Sequence, residues 1–134
     1  MLLIFSTCIS VLSQNQATIV MQPAATTVSL GQTFNIMVKV DFSTLPATSI
    51  TDAVEIYLSF DKTKLKVTAI AEQPTVAAFT SKPIPVDNSS QYSATNTAGQ
   101  VSYAAATTSS FPTADFNVLQ ITFEAIAVTV QRRH

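Results

Sequence analysis

The chain has 134 residues, the size of one domain, with 47% hydrophobic but only 11% charged residues and a formal net charge of −1. So apolar a composition excludes a disordered chain, which needs high charge and little to bury. It also excludes a nucleic-acid partner, because phosphates demand a concentrated cationic face and the longest basic run is Arg132-Arg133.

Leu2 to Leu12 form an apolar stretch, closed by Ser13-Gln14-Asn15-Gln16 and Ala17. A bilayer span takes about 20 apolar residues, so this segment is too short to cross and has the length of a secretory signal core. Residues 1–17 therefore read as a signal peptide cleaved between Ser13 and Ala17, although no Lys or Arg precedes the core. The competing reading is a buried first strand. Cys8 is the single cysteine and lies inside this segment, so the mature domain, 18–130, must be stable by packing without cross-links. A secreted or cell-surface location follows, with no membrane span in the mature domain.

The rest of the chain reads as short strands between turn signals. Thr18 to Met21 is a first strand ended by Pro23, and Thr27 to Leu30 a second before Gly31. Thr33 to Phe42 is the clearest element: Phe34, Ile36, Val38, Val40 and Phe42 alternate with Asn35, Met37, Lys39 and Asp41. A period of two puts the first set on a core face, each contributing roughly 1.5–3 kcal/mol if fully buried. Asp52 to Phe60 repeats the pattern, with Val54, Ile56, Leu58 and Phe60 inward and Ala53, Glu55, Tyr57 and Ser59 outward. Asp61 then heads a tight turn as a cap for backbone N–H groups, and Leu65 to Ala71 is a strand. Residues 72–90 are irregular, since Pro74, Pro83 and Pro85 cannot sit in central strands. Tyr92 to Asn96 and Gln100 to Ala106 form a hairpin around Thr97-Ala98-Gly99. Thr107 to Asp115 is a loop, and Phe116 to Ala127 the last long strand, with Leu119, Ile121, Phe123 and Ala125 inward. No segment shows helical periodicity. Gly31 and Gly99 are turn positions that need positive φ.

The order of these motifs resembles the cohesin domain family. Val28-Ser29-Leu30-Gly31-Gln32-Thr33 leads into the Phe34 strand, Ile50 to Phe60 runs into Asp61-Lys62-Thr63-Lys64-Leu65-Lys66-Val67, and Asn96-Thr97-Ala98-Gly99-Gln100-Val101 precedes Asn117-Val118-Leu119-Gln120-Ile121-Thr122-Phe123. The resemblance covers Thr18 to Ala127. It implies an all-β, antiparallel β-sandwich of jelly-roll topology with about nine strands, in a superfamily of carbohydrate-binding modules. It further implies a non-catalytic receptor for dockerin modules of polysaccharide-degrading enzymes. Lys62 departs from the Pro usual at the corner. A further strand is expected after Ala127, to pair with the first. Val128-Thr129-Val130-Gln131 is either an abbreviated version of it, or the chain is a fragment with 131–134 as a truncated tail; we read it as the latter.

By the same resemblance, partner recognition falls on the outward residues Ala53, Glu55, Tyr57 and Ser59, with Ala53 replacing the Asn common there. Glu55 can accept a hydrogen bond from a partner hydroxyl or amide, and Tyr57 is of a type favoured at interfaces. Each also has a plain reading as a solvated or packing residue of a strand. Direct carbohydrate binding is the alternative. With no Trp and three tyrosines, a flat stacking strip for crystalline cellulose is not expected, leaving Tyr92 with Asn88 and Asn96 as the candidate set. A structural spacer in a surface protein is a third use. Asn88-Ser89-Ser90 matches a glycosylation acceptor pattern that matters in a eukaryotic secretory host.

No metal site or cofactor is expected, because Asp61, Asp87 and Asp115 are scattered singly. No enzyme activity is expected either. The single His is His134, at the terminus, and the eight acidic residues form no recognisable pair of catalytic carboxylates. The expected partner is a dockerin-like protein module or a polysaccharide, bound by a monomeric module.

Overall fold

The computed structural model describes residues 17–46 and 48–128, and the backbone of residues 2–4. Nine strands lie among them: β1 (Leu2–Ile4), β2 (Thr18–Gln22), β3 (Ala25–Thr27), β4 (Thr33–Asp41), β5 (Ala53–Ser59), β6 (Leu65–Glu72), β7 (Ser81–Ile84), β8 (Gln100–Ala106) and β9 (Phe116–Ala125). They form a four-stranded sheet in the order β2-β4-β9-β6, a three-stranded sheet in the order β5-β8-β7, and a β1-β3 ribbon. Every pairing is antiparallel. The chain crosses between the two larger sheets from β4 to β5, β5 to β6, β6 to β7 and β8 to β9. This is the sandwich with jelly-roll winding that alternation and motif order predict.

The core is the set of inward positions of the two sheets. Ile36, Val38 and Val40 of β4 and Val54, Ile56 and Leu58 of β5 are buried, as are Val101, Tyr103 and Ala105 of β8. On β9 the predicted inward set Leu119, Ile121, Phe123 and Ala125 is fully buried, but Val118 is too. The reason is a bulge. Val38 pairs with Leu119 and Lys39 with Asn117, so Val118 is the extra residue, and the parity of β9 reverses there. A second register shift, between Val67 and Ala69, makes Thr68 the extra residue of β6 and turns Ile70 inward opposite Ile121. Phe123 joins the layers, 5.6 Å from Phe34 and 5.3 Å from Phe60 between ring centroids.

Several boundaries differ from the sequence reading. The second short strand lies at Ala25–Thr27 rather than Thr27 to Leu30, directly after the turn at Pro23. The region from residue 72 to 90 contains a helical turn, α1 (Pro74–Ala77), and strand β7 with Pro83 in it; β7 is a sheet edge, where a residue without an N–H is tolerated. The first arm of the proposed hairpin, Tyr92 to Asn96, is not a strand. A 3-10 turn over Ser90–Tyr92 leads into helix α2 (Ser93–Ala98), which ends at Gly99 with φ of 68°. Thus the chain does contain helical turns, each too short to show an apolar period. Leu2–Ile4, inside the segment read as a signal peptide, runs as a strand beside Ala25–Thr27. Of Val128-Thr129-Val130-Gln131, the candidate for an abbreviated last strand, Val128 is exposed and outside the strands, and residues 129–131 lie outside the described residues, as does the rest of the tail.

The connection from β6 to β8 is secured by polar side chains bonded to backbone. Asn96 lies against the edge of β6: Val67 N donates to Asn96 Oδ1 at 2.7 Å, and Asn96 Nδ2 donates to Val67 O at 3.0 Å and to Gln91 O at 3.2 Å. One side chain so satisfies both backbone groups of an edge residue, beside a bulge and on the side where no described strand pairs. Asp87 organises the entry to α2. Its Oδ1 accepts from Ser89 N and Ser89 Oγ, and its Oδ2 accepts from Thr95 N, while Ser89 Oγ accepts from Ala94 N. Burial pushes the Asp87 carboxyl up, and the bonds from Ser89 and Thr95 outweigh it, leaving its pKa at about 2.

Candidate functional site

The outward face of the β5-β8-β7 sheet is set by the same parity that builds the core. In β5, Val54, Ile56 and Leu58 point inward, so Ala53, Glu55, Tyr57 and Ser59 point out; Tyr57 is half-buried and the other three exposed. The structure thus brings these predicted residues into one row. Across the ladder they face Ala106, Ala104, Ser102 and Gln100 of β8, and Ser81 and Ile84 of β7 flank Ala106 and Ala104 on the far side. Glu55 and Tyr57 stand above neighbours that are mostly Ala and Ser.

Tyr57 Oη donates to Glu55 Oε1 at 2.5 Å. That bond, followed by slight desolvation and the Glu55 charge, raises the Tyr57 pKa. The carboxylate is thus held in place along the strand, and its remaining lone pairs are directed to solvent. Ser102 Oγ donates to Gln100 Oε1 at 3.3 Å beside this pair. The four β5 residues lie on an edge strand, and no described strand pairs with its outer side. Chemically the row offers hydrogen-bond acceptance, one aromatic surface and a close approach for a partner's backbone.

The other candidate set is placed differently. Asn88 is exposed in the loop between β7 and the Ser90–Tyr92 turn. Asn96 has its amide engaged with Val67 and Gln91, and Tyr92, at φ of 53°, lies half-buried against the core. Of the three, Asn88 alone has a side chain fully turned to solvent.

Sequence reasoning did not find the polar group joining the two sheets at the end of β6. Tyr103, an inward residue of β8, is fully buried and donates its hydroxyl to Glu72 Oε1 at 2.8 Å. Glu72 in turn pairs with Lys82 at 3.4 Å, and Lys82 donates to the Val76 carbonyl. Burial, and then the bond to Glu72, push the Tyr103 phenol well up, so it stays a donor. The signal for it was a Tyr at a core-parity position, which needs a partner for its hydroxyl. Among the described residues no group of three or more His, Cys, Asp or Glu is arranged to hold a metal ion. No helix among them is long and apolar enough to cross a membrane.

No protein-family model and no curated protein sequence matches the chain. Among solved structures, the fold is similar to the seventh type I cohesin of ScaB from Pseudobacteroides cellulosolvens, with a TM-score of 0.54 and 16% sequence identity over 77% of this chain. The match spans 62% of that cohesin's chain. At such identity the likeness is one of fold.

Proposed function

We propose that the domain is a non-catalytic, cohesin-like docking module of an exported or surface-attached protein, and that it receives a dockerin-type protein partner on the outward row of β5, Ala53, Glu55, Tyr57 and Ser59. The observation that carries this reading is the joint presence of a cohesin-like fold and an outward sheet face of mostly small residues on which Glu55, fixed by Tyr57, is the prominent acceptor. A face of mostly small residues suits a protein surface better than a sugar ring, which binds against broad aromatic planes. The polar groups available for direct sugar binding are fewer, because Asn96 is committed to the backbone of β6.

The test is a pull-down of the purified domain with a panel of dockerin modules, alongside retention on polysaccharide affinity gels. Docking on β5 predicts saturable capture of a dockerin that is lost in Glu55→Arg and reduced in Tyr57→Ala, with no retention on the gels. Retention on polysaccharide that both variants preserve would transfer the function to direct carbohydrate binding. Neither activity would leave a structural spacer.

A further inference from the structure

We propose that Asn88 is an acceptor site for an N-linked glycan. The tripeptide Asn88-Ser89-Ser90 has the acceptor pattern, with an amide, a non-proline middle residue and a hydroxyl two positions on. Such patterns arise often by chance, so the geometry decides. The structure separates the three side chains by role. Ser89 is the anchored one: its amide and hydroxyl both donate to Asp87 Oδ1, and its oxygen also accepts from Ala94 N. Asn88 and Ser90 are exposed on either side of it, and neither side chain makes a hydrogen bond with the described residues. The two groups a transferase must engage are free, while the backbone between them is extended, at φ −65° and ψ 153° for Ser89. The segment lies outside the sheets, so an enzyme can reach it without breaking a ladder.

The reaction needs a glycosyltransferase and a lipid-pyrophosphate-linked oligosaccharide as donor. Asn88 Nδ2 attacks the anomeric carbon, and the new N–C bond forms as the bond from that carbon to the pyrophosphate oxygen breaks. The lipid pyrophosphate departs with the electron pair, and the amide gives one proton to the enzyme's base.

The experiment is to express the full chain behind a secretory leader in eukaryotic cells with an N-glycosylating pathway and to measure its intact mass before and after peptide-N-glycosidase. Translation into microsomes supplies the same readout for chain that is not secreted. One glycan is expected on the wild type, removable by the glycosidase, absent from Asn88→Gln and Ser90→Ala and retained in Ser90→Thr. A translocated wild-type chain of unmodified mass would overturn the proposal, as would a glycan that survives Asn88→Gln.

Discussion

The β4-β9 ladder and the segment from Glu72 to Gly99 are held by different physics. The ladder is lined by buried apolar side chains on both sides of its bulge, Ile36, Val38, Leu119, Ile121 and Phe123 among them. Its order depends on hydrophobic area removed from water, which is non-directional and tolerant of similar shapes. The segment from Glu72 to Gly99 contributes few core residues, Val76 and Phe79 being the buried apolar ones. It is fixed instead by Asp87, Asn96, Glu72 and Gly99, each through directed bonds or a special backbone angle. The first region should thus lose stability in proportion to volume removed, and the second through the loss of single polar atoms.

Substitutions can break this contrast or sharpen it. The largest loss is expected for Phe123→Ala, which opens a void where the rings of Phe34 and Phe60 meet. A cost of about 3–5 kcal/mol, read by urea unfolding, follows from the lost transfer energy and the cavity. Next comes Gly99→Ala. The position has φ of 68°, and an added Cβ would lie 3.2 Å from the Phe60 carbonyl oxygen. Strain and crowding together should cost about 1–3 kcal/mol. Asn96→Ala should cost about 1–3 kcal/mol by leaving the N–H and C=O of Val67 without partners. The exposed Asn88→Ala should stay within about 0.5 kcal/mol. Equal effects at residues 96 and 88 would refute the structural role given to Asn96.

A pH dependence at Asp87 probes the polar segment by titration. Its pKa is lowered from 3.8 to about 2 on folding, so the unfolded chain binds the proton more readily. The carboxylate's contribution is then fully present above pH 3.8 and is lost as pH falls towards 2. Acid unfolding curves should show that loss in the wild type, on the order of 1–2 kcal/mol after allowance for solvent. They should show less of it in Asp87→Asn, which cannot titrate.

The same contrast explains what was legible in the sequence. Strands β4 and β5 follow from alternation, since period two is the direct imprint of a two-sided sheet. The outward row of β5 was legible for that reason, and the bond between Tyr57 and Glu55 is seen only in the folded structure. The burial of Val118 was not legible, because a bulge reverses parity and leaves no mark on composition. Nor was helix α2. Ser93-Ala94-Thr95-Asn96-Thr97-Ala98 carries no apolar stripe, and it is nucleated by Asp87 and Ser89, which lie before it in sequence and cap it by tertiary bonds. Capping at such a distance has no local signature. The offset of β3 likewise reflects its pairing with Leu2–Ile4, a contact between separated segments.

Docking of a protein partner on the outward row of β5 is the proposal on which the function rests. The most direct measurement is amide chemical-shift mapping of the isotope-labelled domain titrated with the dockerin module that it captures. Docking on β5 predicts saturable perturbations concentrated on Ala53–Ser59 and Gln100–Ala106. Perturbations centred instead on Tyr92, Asn96 and their loop, with β5 unmoved, would contradict it.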